Sequence, residues 1–278
     1  MNSDDETYIL LLLSDSNLPT GAFVASSGLE SYMKHGFGSN DPTAFIRDSM
    51  ASYARSALPF VSDAYRLVSL YREMDVQGSS LDQSSSKLLS DIVALEELYE
   101  TMMLNHVARR ASKSQGVALL TLYTKALSPP SSFPLESDAK GVHEQMSTFF
   151  TQFKTMVRRE DAHGHLPTCW GALTAALGLT LERSCYLHLF LHARSLLSAS
   201  VRLNDIGPYN AQQILLHAVR PLVAAETSRC RSLTTGSIPH LIDDGAFDET
   251  IHGPANTWPL GEILTARHDL QHSRIFNS

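Results

Sequence analysis

Several things are scarce or missing in this 278-residue chain. It has three cysteines, Cys169, Cys185 and Cys230, and no C-x-x-C pair among them. An odd count without paired spacing gives no disulfide framework and suits a reducing cytosol. A basic balance is missing: 22 Lys and Arg against 29 Asp and Glu leave a net charge of −7, with a pI near 5.9. That argues against a phosphate-backbone binder, and so against nucleic acid as a partner. Long apolar runs are also missing. Residues 9–13 are too short for a signal core or a membrane span, and the stretch 187–203 is interrupted by His188, His192, Arg194 and Arg202. The amino terminus carries Asp4, Asp5 and Glu6 where a signal peptide would be basic. The expectation is a soluble, cytoplasmic protein with no membrane partner. The chain shows no run of alternating apolar and polar residues, and no nucleophile elbow, P-loop, dinucleotide fingerprint or H-E-x-x-H.

What is present is helical spacing. Hydrophobic residues make up 43% of the chain, enough for a sizeable core, and they recur three and four apart nearly everywhere. Asp41-Pro42 starts a helix, which Pro59 breaks or kinks before a second stripe over 61–71. A long helix is expected over 88–110 and another over 112–127. An amphipathic helix carries His143, Met146, Phe149, Phe150, Phe153 and Met156. A short helix follows His165 and ends near Gly178. Residues 181–203 are apolar almost all round and should form the central helix. A helix over 209–225 is bent or ended by Pro221. Segments 73–86, 128–141 and 232–262 read as loops, and the tail after Glu262 as helical, then frayed. The expected fold is all-α: a single domain, 1–278, of roughly ten helices.

Chemistry-bearing candidates are few. The 12 histidines bring metal to mind, and His163, His165 and Cys169 form the best local cluster of metal ligands. The alternative there is a polar loop whose His165 caps the next helix. His188 and His192, four apart, share one helical face, with packed or hydrogen-bonded histidines as the ordinary reading. Arg109 and Arg110 could fork onto a partner's carboxylates or complement a helix C-terminus. Arg202 ends the most apolar helix and needs a partner of its own. The tail, with Arg267, His268, Arg274 and Phe276, could be a docking peptide that orders on binding or a disordered terminus with no role.

The most particular stretch is the start, Leu13-Ser14-Asp15-Ser16-Asn17-Leu18-Pro19-Thr20-Gly21-Ala22-Phe23 followed by Ser27-Gly28-Leu29-Glu30. Pro19 and Gly21 specify a turn. Ser27 with Glu30 reads as a capping box, and Gly36 as the stop of the helix that follows. This stretch resembles the amino-terminal signature of the UreF family of urease accessory proteins. Four more segments resemble that family in order: 105–120 from Asn105, His165-Leu166-Pro167 with Gly171, 198–213 from Ser198, and 268–278 from His268. Segments 73–86, 128–141 and 232–262 lie outside the resemblance. Thr20, Asp269 and Ile275 are mild departures from its pattern.

The resemblance implies an all-α protein with no reaction of its own that helps assemble the nickel centre of urease. It implies a homodimer that binds a UreD/UreH-type accessory protein, recruits a UreG-type GTPase and docks on apo-urease. Nickel would be in transit, on one account through an internal passage, with no stably bound cofactor. It makes Arg267, His268, Arg274, Phe276, Arg109 and Arg110 candidates for partner contact and puts Arg202 near the self-association surface. Ser14, Asp15, Pro19, Gly21 and Phe23 become a partner-facing or partner-shaping turn. Two other readings stay open: a helical metalloenzyme using His163, His165 and Cys169, and an unrelated helical adaptor.

Overall fold

A computed structural model describes residues 3–38, 41–74, 81–130, 137–242 and 247–278, and among them there are helices and no strands. In chain order the helices are α1 (Ser3–Leu13), α2 (Leu29–Tyr32), α3 (Thr43–Glu73), α4 (Leu81–Met102), α5 (His106–Leu122), α6 (Ser137–Arg158), α7 (Leu166–Leu177), α8 (Leu181–Arg202), α9 (Pro208–Gln213), α10 (Arg220–Cys230), α11 (Glu249–His252) and α12 (Pro259–Ala266). Widened π turns follow α2 and α5 and join α9 to α10. No helix among the described residues is long and apolar enough to cross a membrane.

One core cluster draws on residues from Leu13 to Phe276. Its centre is the pair α3 and α7, the most extensive helix contact in the molecule. Every residue of α7 from Pro167 to Ala176 is buried. The central helix is therefore α7 and not the expected 181–203, because α8 keeps Glu182, Arg183, Tyr186 and Ser198 outside. Small side chains explain the exchange. A Cβ on Gly171 would run into the Val61 carbonyl of α3, so glycine lets the two backbones come together. The stripe on α6 behaves as expected. Met146, Phe149, Phe150 and Phe153 are buried, and Phe150 stacks on Tyr123 with centroids 3.9 Å apart. Burying each such phenylalanine contributes about 1.5–3 kcal/mol.

Pro59 does not break the helix; α3 runs through it for 31 residues. A proline removes the hydrogen bond to the carbonyl four residues back, here Arg55. That carbonyl accepts the N–H of Ala255 at 3.4 Å instead. The Arg55 guanidinium donates to the carbonyls of Thr250 and Ile251, at 3.1 and 2.7 Å. The proline thus creates a docking point for a distant segment.

Other boundaries shift too. The helix expected over 88–110 ends at Met102, and α5 begins after Asn105, whose side chain accepts the N–H groups of Val107 and Ala108 at 3.1 and 3.2 Å. Arg109 and Arg110 therefore sit in the first turns of a helix rather than at a C-terminus. Of the expected loops, 73–86 contains the last residue of α3 and the start of α4, and 128–141 contains the start of α6; positions 75–80 and 131–136 lie outside the described residues. Segment 232–262 is mostly irregular but includes α11 and the start of α12.

Candidate functional site

A cavity of about 270 Å³ lies between α3, α5, α8, the turn at 15–23 and the chain's last residue. The turn forms as its sequence dictates. Asp15 accepts the N–H of Asn17 at 2.9 Å, and Gly21 takes a φ of 72°, where a side chain would be strained. On the opposite wall Tyr53 of α3 stacks against His188 and His192 of α8, with centroids 5.4 and 4.1 Å away. The Tyr53 hydroxyl lies 2.9 Å from His188 Nε2, and Ser49 Oγ lies 3.2 Å from His192 Nε2. Burial pushes the two imidazoles down, His188 to about 3 and His192 to about 4. Both are neutral at physiological pH, so the cavity wall carries polar rings without charge.

The C-terminal segment borders this cavity, and it is not frayed. Phe276 and Ser278 are buried. The Asn277 N–H donates to the Val24 carbonyl at 2.9 Å, and the Ser26 N–H to the main-chain oxygen of Ser278 at 2.5 Å. Glu30, fully buried, accepts the N–H groups of Ile275 and Phe276 at 2.8 and 3.1 Å. Glu30 does not form the expected capping box with Ser27. Ser27 and Gly28 have φ of 48° and 89°, no side chain caps α2, and Glu30 turns to the tail instead. Burial works against the Glu30 charge, but those two N–H groups and Lys34 outweigh it and hold the carboxyl below its usual value.

The expected partner residues are engaged within this chain. Arg110 forks onto Asp269 at 2.9 and 3.0 Å and reaches the Asn277 carbonyl at 2.8 Å. Arg274 meets the same carboxylate at 2.6 Å, and Arg110 holds Asp269 well below the usual carboxylate range, with help from Arg274 and His106. Arg109 pairs with Glu100 at 3.3 Å. These carboxylates offset the cost of placing cations at the positive end of α5. His268 is buried with Nε2 3.0 Å from the Phe276 carbonyl oxygen. Arg267 is exposed and donates to His35 at 3.1 Å. Arg202, half-buried, has its guanidinium carbon 3.8 Å from the Phe23 ring centre and 4.3 Å from that of Phe276, and it donates to the Phe23 carbonyl.

His163, His165 and Cys169 do not converge as a ligand set. Among the described residues no three His, Cys, Asp or Glu side chains group so as to hold a metal ion. Both ring nitrogens of His165 are occupied: Nε2 lies 2.8 Å from Glu100 and Nδ1 3.2 Å from Ser112 Oγ. Cys169 is buried, and burial pushes its thiol well up. His165 stands at the N-cap of α7, as one reading of the sequence had it, but its side chain does not cap. Ser112, His165 and Glu100 form a line like a hydrolytic triad. Ser112 Oγ, however, also accepts the Leu166 N–H at 3.1 Å, so the hydroxyl ties α5 to the start of α7. Burial would raise the Glu100 carboxyl, yet hydrogen bonds from Lys113 and His165 bring it down to about 2. Beneath this line Glu96 accepts the His165 N–H at 2.9 Å, and burial raises its carboxyl to about 7.

Tyr53, Glu30 and Glu96 were not singled out for these roles by sequence reasoning. Glu96 left a signal: it shares a helical face with the buried Ile92 and Tyr99, and an acid on an apolar stripe needs buried donors.

All five segments singled out in the sequence meet at the cavity, through Asp15 to Phe23, Asn105 to Gln115, Leu166, Ser198 and Ser278. The sequence model of UreF matches residues 38–219. The chain is 42% identical to a protein named urease accessory protein 6 of Cryptococcus neoformans var. grubii, over 99% of this chain and 98% of that one. This chain belongs to the UreF family. A UreF-like urease accessory protein of Schizosaccharomyces pombe is 30% identical over 100% of this chain and 99% of its own. Urease accessory protein F of rice is 28% identical over 95% of this chain and 82% of its own. The UreF model leaves out the last 59 residues, yet the fungal matches run through them.

Proposed function

We propose that this chain is a non-enzymatic scaffold for urease maturation, bridging a UreD/UreH-type accessory protein and a UreG-type GTPase while nickel is inserted into apo-urease. The observation that carries this reading is the likeness to a urease accessory protein across practically the whole of both chains. The meeting of all five family-like segments at one cavity supports it. Partner contact falls to the exposed Arg267 and to the outer edges of Arg109, Arg110 and Arg274. His268, Phe276, Ser14, Asp15, Pro19, Gly21 and Phe23 shape the surface those residues stand on. Neutral His188 and His192 would present no charge barrier to a divalent cation in transit. The working form is a cytoplasmic homodimer, and Arg202 can serve self-association only with the face left outside its aromatic clasp.

The test is urease in cells lacking this gene. The expected outcome is abundant urease protein that holds little nickel and has little activity, recovered by returning the gene. Normal, nickel-loaded urease in those cells would overturn the proposal.

A further inference from the structure

The cavity has a neighbour. A surface cleft of about 650 Å³ is lined by Val24, Arg110, Ser114, Asp269, Arg274 and Asn277 among others. Gly21, Ala25, Ala111, Gln115 and Ser278 line both spaces. The partition between them is therefore thin, built from the segments 21–26 and 275–278 together with Ala111 and Gln115 of α5. The segments 21–26 and 275–278 are joined by a seam of main-chain bonds, Asn277 to Val24 and Ser26 to Ser278. Neither belongs to an α-helix. Arg202 reaches from the end of α8 to clasp both at once, with Phe23 of one segment and Phe276 of the other against its guanidinium.

We propose that the C-terminal segment is a removable wall of the cavity and that Arg202 is the latch that holds it shut. Opening the seam joins the cavity to the cleft and turns a recess into a wider channel. Three features favour release as a unit over general unfolding. The seam is short. Its outer anchors, Arg110–Asp269 and Arg274–Asp269, are at the surface, where pairs of charges exchange readily with water. The core pair α3 and α7 makes no part of it. Local opening of such a segment costs far less than global unfolding. The proposal does not rest on the maturation reading, since it is read on the isolated protein.

The test combines amide hydrogen exchange with thiol labelling on the full chain. Arg202→Ala should raise exchange at Ser26, Ile275, Phe276 and Asn277 by about tenfold, the loss of two cation–ring contacts and a hydrogen bond. Exchange in α3 and α7 should stay unchanged. Arg202→Lys, which keeps the charge but not the planar fork, should fall between. Ala25→Cys, now 5% exposed, should react slowly with a maleimide. It should react much faster once residues 275–278 are deleted, while the buried Cys169, Cys185 and Cys230 stay unreactive. Unchanged seam exchange in Arg202→Ala would remove the latch. Unchanged labelling of Ala25→Cys after the deletion, or labelling of all cysteines together, would remove the wall.

Discussion

Asp63 and Glu30 are both fully buried carboxylates, and each fastens a largely irregular segment to the helical body, yet their designs differ. Asp63 on α3 gathers its donors at one oxygen. Oδ2 accepts the Thr235 N–H and hydroxyl, each at 2.7 Å, and the Thr234 hydroxyl at 3.0 Å, while Arg66 pairs with Oδ1 at 3.3 Å. Glu30 divides its donors, with the Ile275 N–H at one oxygen and the Phe276 N–H at the other. Burial dominates at Asp63 and raises its carboxyl, whereas at Glu30 the donors win. One anchor works through geometry that a neutral group could imitate. The other needs two acceptors at once, which among side chains means an ionised carboxylate.

The sharpest way to break this comparison is a pair of isosteric substitutions. Glu30→Gln puts an amide N–H₂ against one of the two main-chain N–H groups and strands a buried donor. A loss of about 1–3 kcal/mol is expected, read as lower thermal stability with faster exchange at 275–278. Asp63→Asn can still offer one carbonyl oxygen to all three donors, and its amide faces the partly exposed Arg66, which can swing away. Its cost should stay below about 1 kcal/mol. Equal effects from both variants would show that the division of donors does not matter.

Acid should separate the anchors next. The Glu30 carboxyl is lowered from 4.5 in the folded protein. Its stabilisation is therefore complete above 4.5 and lost as pH falls through the lower folded value. Asp269, also lowered by Arg110, adds loss of the same sign. The Asp63 carboxyl is raised from 3.8, so its contribution is complete below 3.8 and lost as pH rises through the folded value. Below about pH 4.5 the C-terminal seam should loosen before residues 232–237, as seen by pulsed hydrogen exchange. Simultaneous loosening would mean that one cooperative transition controls both.

How much of this could be read in advance follows from where each residue's partner lies. The stripe of α6, the end of α7 near Gly178 and the Asp15–Gly21 turn are set by neighbours a few positions away, and these are legible. The all-α fold follows from the same local spacing. Glu30 sits three residues after Ser27, so the local rule says capping box; its true donors are 245 and 246 positions away. The tail looks frayed for the same reason, since what orders it is the segment 24–30 and Arg202. The break after Met102 was hidden because apolar spacing continues past it, although Asn105 is a good N-cap. His163, His165 and Cys169 have ligand spacing, but Glu100 and Ser112, on two other helices, claim both nitrogens of His165. The cavity itself had no sequence signature beyond the family-like segments that surround it.

The smallest expected effect concerns a third fastening, at Pro59. It holds the segment before α12 through a carbonyl that is free only because proline lacks an N–H. Pro59→Ala restores that N–H and lets α3 close its own hydrogen bond to Arg55. Helix propensity alone would favour alanine by up to about 3 kcal/mol, but the contact already made by Ala255 and the close packing around the buried Pro59 offset much of it. The net change in melting temperature should be slight and upward, while exchange at Ala255 rises because its acceptor has been taken. The Arg55 side chain still holds the Thr250 and Ile251 carbonyls, so the segment should loosen without leaving. A stabilised α3 with unchanged protection at Ala255 would mean that the guanidinium alone fastens this segment, and that the proline serves only to let the helix tolerate it.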